Sequence, residues 1–171
     1  MRGRLERLPG DHAQALTPAC PGLGTIGDMA IIPALSDAQR AFLDAPRFAA
    51  VATTDDDGAP RQTVVWYRLA DHDRILLNGR LPRRWCANLA RDRRVSLAIV
   101  DQADGYRWIG VTGAVEEIVE DDSAKEDIVA LARRYETDGG EPDPAQLAAF
   151  RSQPRITYLV RITGLHDHLE D

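Results

Sequence analysis

The sequence predicts a mainly β fold, a closed antiparallel barrel of six or seven strands with a few flanking helices. Three observations carry this expectation. Three strand-like runs follow one another across tight-turn sequences with no helix between them, which is a meander and not a βαβ unit. Strand-like runs outnumber helical ones along the chain. A small antiparallel sheet also removes its exposed edges most economically by closing on itself. The 171 residues suit a single domain.

Residues 1–35 stand apart. Pro18, Pro21, Gly22, Gly24 and Gly27 punctuate a stretch without periodicity, and no continuous apolar segment marks a secretory signal. This reads as a disordered extension preceding a domain at 36–171. Met29 stands just before the first patterned segment, so the head is either a start-site artefact or a structureless extension.

Ser36 and Gln39 have capping-box spacing, Ala38, Ala41, Phe42 and Ala45 form an apolar stripe, and Pro46 closes a helix at 36–45. Phe48 to Thr53 reads as strand one. Asp57-Gly58 signals a hairpin turn, and Gln62 to Leu69 follows as strand two. After a turn at 71–73, Ile75 to Asn78 is strand three. Pro82 is placed to open a helix running to about Ala90. Arg94 to Val100 is the next strand. Tyr106 to Val119 is one long strand or a bulged pair, with Gly110 and Gly113 as candidate bulges. Helices are expected at 122–135 and 144–151, a last strand at 156–163, and a tail beyond it.

The net charge of −6 argues against a general affinity for nucleic acid or an anionic membrane, and no run approaches the ~20 apolar residues of a membrane helix. Cys20 and Cys86 have neither disulfide nor metal-ligand spacing, which fits a reducing cytoplasmic setting. Against this acidic background, Asn78 to Arg94 holds six arginines and one acid, Asp92. Arg80, Arg83 and Arg84 sit at or before the expected helix start. Cations there oppose the helix dipole, so their clustering favours an anion site over a solvated basic surface. Arginine as such says less, because Lys125 is the single lysine of the chain.

The order of four pieces is more specific. Asp57-Gly58-Ala59-Pro60 is followed by Val64-Val65-Trp66, then Arg80, then Asn88-Leu89-Ala90-Arg91-Asp92-Arg93-Arg94-Val95. Over residues 36–169 this resembles the split-barrel flavin and deazaflavin oxidoreductases related to pyridoxamine 5′-phosphate oxidase. The resemblance implies a homodimer with its cofactor in a groove between subunits. It places the cofactor phosphate on Arg80, Arg83, Arg84 and Asn88, and the ring along Gln62, Thr63, Val64 and Val65. Trp85 stands where many relatives carry a lysine, and it joins the expected cofactor contacts. The deazaflavin coenzyme F420 is the first expectation and FMN the alternative. The expected activity is hydride transfer to or from a small organic substrate, with a non-enzymatic flavin-binding role as the other alternative.

No Ser/His/Asp or Cys/His arrangement stands out, so no catalytic side chain is assigned; in such enzymes the cofactor performs the chemistry. Trp66, Trp85 and Trp108 read as core or interface aromatics before cofactor contacts. His166 and His168 share a strand face but lack a third ligand group, and Asp55-Asp56-Asp57-Gly58 lacks the ligand alternation of a calcium loop, so no metal is expected.

Overall fold

The computed structural model describes residues 34–169, apart from 72, 137 and 138. The extension expected over 1–35 therefore lies, but for its last two residues, outside the described residues. The described elements run α1 (Asp37–Asp44), β1 (Ala49–Thr54), β2 (Pro60–Val65), β3 (Tyr67–Ala70), β4 (Arg74–Arg80), α2 (Arg84–Arg91), β5 (Arg94–Val100), β6 (Trp108–Val119), α3 (Asp122–Arg134), α4 (Pro144–Arg151) and β7 (Arg155–His168).

Local signals explain the first elements. Ser36 Oγ accepts the Gln39 N–H at 3.2 Å and Gln39 Oε1 accepts the Ser36 N–H at 2.9 Å, so the capping box is complete. The β1–β2 turn is closed by the Gly58 N–H on the Asp55 carbonyl at 3.0 Å. Gly58 takes a φ of 85°, a left-handed conformation that side chains resist.

Seven antiparallel strands form one sheet in the order β2-β1-β5-β6-β7-β4-β3. The expected single strand over 62–69 is two, β2 and β3, broken at Trp66, and they lie on opposite edges of the sheet. One residue joins them, so the edges must come together there, and the sheet curls into a split barrel. The break is held by Tyr135. Its hydroxyl accepts the Tyr67 N–H at 3.1 Å, lies 3.1 Å from the Tyr67 carbonyl and donates to the Arg47 carbonyl. The Tyr135 ring stacks on Trp66 at 5.2 Å.

Two more expectations need correction. The last strand runs to His168, so His166-Asp167-His168 is ladder and not tail; it pairs with Trp108, Ile109 and Gly110 of β6. The helix after β4 starts at Arg84, not Pro82, because residues 80–83 form a turn closed by the Arg83 N–H on the Arg80 carbonyl at 3.0 Å. Of the two candidate bulges, the register shift falls at Gly113, while Gly110 stays paired with Ala98 and His166. A Cβ on Gly113 would lie 2.5 Å from Val160 Cγ1 and 2.8 Å from the Arg161 carbonyl oxygen.

The barrel interior is filled by Tyr67, Leu77, Leu89, Leu97, Ile99 and Tyr158, among others. A second apolar layer lies outside, where Leu76 of β4 and Ile128 and Leu131 of α3 cluster with Trp66, Phe150 and Leu159. Helices α3 and α4 thus cover the outer face of β3, β4 and β7. No helix among the described residues is long and apolar enough to cross a membrane.

Candidate functional site

Along that outer face the β4–β7 ladder changes character. Leu76 lies opposite Leu159, Asn78 opposite Thr157, and Arg80 opposite Arg155. The row passes from apolar, under the helices, to polar and then cationic. Where the helical cover ends, a cleft of about 400 Å³ opens beside the β2–β3 break. Its apolar wall is Phe48, Val64, Trp66, Ile128 and Phe150. Its polar wall is Asn78, Arg80, Arg83, Gln153 and Arg155.

The fold places Arg80 and Arg83 at the mouth by two means. Arg80 ends β4, and Arg83 is the N-cap of α2 without a side-chain cap bond of its own. Helix α2 is drawn onto β4 because Gly79 has no side chain: a Cβ there would meet Cys86 Sγ at 2.3 Å and the Trp85 ring at 2.9 Å. The Tyr158 hydroxyl then donates to the Cys86 carbonyl at 2.7 Å, pinning the helix to β7. Burial pushes the Cys86 thiol up to about 11, so it stays protonated and inert at neutral pH.

Of the residues singled out in the sequence, Val64, Val65, Arg80 and Arg83 line the cleft. Gln62 and Thr63 precede them on β2, the terminal strand of the sheet. The other three occupy different surroundings. Arg84 is 62% exposed, with Nε 3.8 Å from Asp55 Oδ1. Trp85 is buried against Tyr158, with ring centroids 5.9 Å apart. Asn88 is 2% exposed, and its amide donates to Thr53 Oγ1 at 3.0 Å and Asp55 Oδ1 at 2.7 Å.

Asn78, Gln153, Arg155 and Phe150 belong to the cleft without having been singled out. Asn78 Nδ2 donates to the Ala124 carbonyl at 2.8 Å and to Thr157 Oγ1 at 2.9 Å, while the Thr157 hydroxyl donates to Asp127 at 2.9 Å. Arg155 is 7% exposed; Nη2 donates to Gln153 Oε1 at 2.8 Å and the guanidinium lies 4.9 Å from the centroid of the Phe150 ring. Burial, and then the nearby Arg83 and Arg80 charges, lower its pKa. Arg155 opens β7 just after α4, and no local motif marks it.

A curled antiparallel sheet, broken at one strand and flanked by helices, with arginines and an aromatic wall sharing one cleft, defines a split β-barrel. The chain belongs to the pyridoxamine 5′-phosphate oxidase family, whose profile matches residues 35–161. Among solved structures it is similar to a protein described as an F420 reductase, with 24% identity, a TM-score of 0.63, and coverage of 77% of this chain and 98% of the other. It is similar to a conserved hypothetical protein of Mycobacterium tuberculosis, with 26% identity, a TM-score of 0.63, and coverage of 78% and 84%. HupZ of Group A Streptococcus is similar at 16% identity and a TM-score of 0.57, with coverage of 78% and 93%. No curated protein matches the chain.

Proposed function

We propose that this protein is an oxidoreductase that binds the deazaflavin coenzyme F420 in a groove completed by a second copy of the chain. In this reading it passes hydride to or from a small organic substrate. The observation that carries the reading is that Arg80 and Arg83 line one cleft together with Phe48, Trp66 and Phe150 and with the end of β2. A flavin-type cofactor has those two ends, a phosphate and a flat ring. FMN has both as well and is the alternative that family membership favours, whereas the neighbour described as an F420 reductase favours F420.

When bound, the ring supplies the hydride chemistry. The chain's own part is to hold it. Arg80 and Arg83 would grip the phosphate through charge-assisted hydrogen bonds. Among the described residues strand β2 ends the sheet, so its outer backbone N–H and C=O groups have no strand partner there and, over Gln62 to Val65, suit the polar rim of a ring. Phe48, Trp66 and Phe150 exclude water beside it. Arg84, Trp85 and Asn88 support the site by fixing α2.

The sheet supports the second copy. Register places Gln62, Ala52, Ser96 and Thr112 in one row and Val64, Ala50, Ala98 and Gly110 in the next. These two rows carry no charge and hardly any bulk, between Arg94 toward one end of β5 and the Val100–Trp108 pair at the other, and Val64 on them is 67% exposed. Two such faces can lie flat against each other.

The test is Arg80→Ala and Arg83→Ala, made separately and titrated with F420 and FMN by fluorescence. Each lost contact is worth roughly 1.5–3 kcal/mol, or about ten- to a hundredfold in affinity. The loss should persist in moderate salt, because a partly enclosed site is screened less than open surface. Arg84→Ala should weaken binding less, since its guanidinium faces Asp55. Arg133→Ala on α3 should do nothing. Parent-like binding by both cleft variants would make the cluster a solvated surface and end this reading.

A further inference from the structure

Among the described residues Arg155 alone of the arginines is buried. It lies directly across the ladder from Arg80 and shares the cleft with Arg80 and Arg83. Its partners are neutral: the Gln153 side chain at 2.8 Å, the Phe150 carbonyl at 3.4 Å and the Phe150 ring. None of these cancels its charge, and among the described residues its remaining N–H groups have no further hydrogen-bond partner. Arginine stays protonated in proteins, so burial beside two like charges is met at a cost to the ligand-free fold. The lowered pKa of Arg155, through burial first and then Arg83 and Arg80, expresses the same opposition.

A purely structural account would make Arg155 a staple for the turn between α4 and β7, through Phe150 and Gln153. A staple needs the hydrogen bonds but not the company of two further cations. All three arginines line the one cleft and act electrostatically on one another, and an anion with several oxygens is a ligand that can take bonds from more than one of them.

We propose that Arg155 is the third arm of the anion site, and that through it the cleft selects a phosphorylated ligand over the same ligand without phosphate. This rests on the reading of the cleft as a flavin-type cofactor site. Arg80 and Arg83 sit at the mouth, where solvent weakens them. Arg155 sits behind them, where a charge-assisted bond counts for more. The buried arm therefore sets the preference for phosphate, and the exposed pair contributes attraction.

The experiment uses the full chain with Arg155→Met, which keeps the apolar stem against Phe150 and removes the charge, and Arg155→Lys, which keeps a charge without the planar fork. Fluorescence titrations compare FMN with riboflavin, and F420 with its phosphate-free deazaflavin. The parent should prefer the phosphorylated member of the pair it binds. Arg155→Met should bind that member about ten- to a hundredfold more weakly and the phosphate-free member unchanged, with Arg155→Lys between. Melting temperatures give a second readout. Without ligand, Arg155→Met should melt no lower than the parent, and inorganic phosphate should stabilise it less. A lowered melting temperature with equal losses for both members would make Arg155 a staple and overturn the proposal, as would parent-like binding of the phosphorylated member. If the parent binds neither pair, the flavin reading falls. An Arg155-dependent stabilisation by inorganic phosphate would then still uphold the anion site, and its absence would remove that too.

Discussion

Asp55 closes a small charged latch between the end of β1 and α2. Its carboxylate takes the Arg61 Nε–H at 2.9 Å and the Asn88 amide at 2.7 Å, and Arg84 stands 3.8 Å away. These contacts, Arg61 foremost, hold its carboxyl down at about 2. A depressed folded pKa contributes stability that is present above the unfolded value of about 3.9 and is lost as pH falls through the folded one. Stability should therefore decline between about pH 4 and pH 2 as this group protonates. Asp55→Asn should lower the melting temperature at pH 7 and flatten that stretch of the stability profile, followed by circular dichroism. An unchanged profile would show that the latch contributes nothing. The latch also explains the Asn-Leu-x-Arg-Asp stretch locally: Asn88 ties α2 to Thr53 and Asp55, and Arg91 donates to the Thr54 carbonyl. Arg80 and Arg83 could be read from sequence because charge clusters within a few residues. Arg155 could not, because only the β4–β7 register sets it opposite Arg80.

Elements with a local cause were legible: the Ser36 box, the Asp57-Gly58 turn and the apolar stripes of α3 left little choice. The break at Trp66 was not. Strand-like composition continues from Gln62 through Leu69, and nothing nearby signals a stop. The break exists because Tyr135, far along the chain, takes up the Tyr67 N–H, and because Trp66 stacks on Tyr135 and meets Phe150 edge-to-face in the helical layer. The outer half of β7 was missed for a related reason, since Gly164-Leu165-His166-Asp167-His168 lacks apolar alternation and is ordered by pairing with β6. Tyr135→Phe keeps the ring and removes the hydroxyl. It leaves the Tyr67 N–H and the Arg47 carbonyl without their partner, so it should cost about 1–3 kcal/mol in denaturant unfolding. It should also weaken cofactor binding if the break positions Val65 and Trp66 on the cleft wall. Full stability in that variant would mean the hydroxyl does not hold the barrel's edges together.

At the scale of the molecule, the two faces of the sheet differ in a way that bears on assembly. One side of β1, β5 and β6 turns Val51, Leu97, Ile99 and Val111 into the core, and the other presents Ala50, Ala52, Ser96, Ala98 and Thr112. In a chain that is 28% charged, five adjacent uncharged positions on an open sheet face are what a flat self-complementary contact needs. Ala98 sits near its middle, hydrogen-bonded in register between Ala50 and Gly110. Ala98→Arg would bring a charge opposite its own copy or an uncharged surface, at a cost an obligate interface of about 2,000 Å² or more cannot absorb without rearrangement. By light scattering, the parent should have about twice the 18.9 kDa mass of the chain, and Ala98→Arg should shift toward the single-chain mass. Because Ala98 points away from the core, the variant should keep its β-sheet circular dichroism. It should nonetheless bind cofactor poorly, since the groove would lack its second wall, whereas Arg83→Ala should bind poorly and stay dimeric. That crossed pattern separates loss of the phosphate grip from loss of the partner. A dimeric Ala98→Arg would move the interface off this face, and a monomeric parent with full cofactor affinity would show that one chain holds the cofactor unaided.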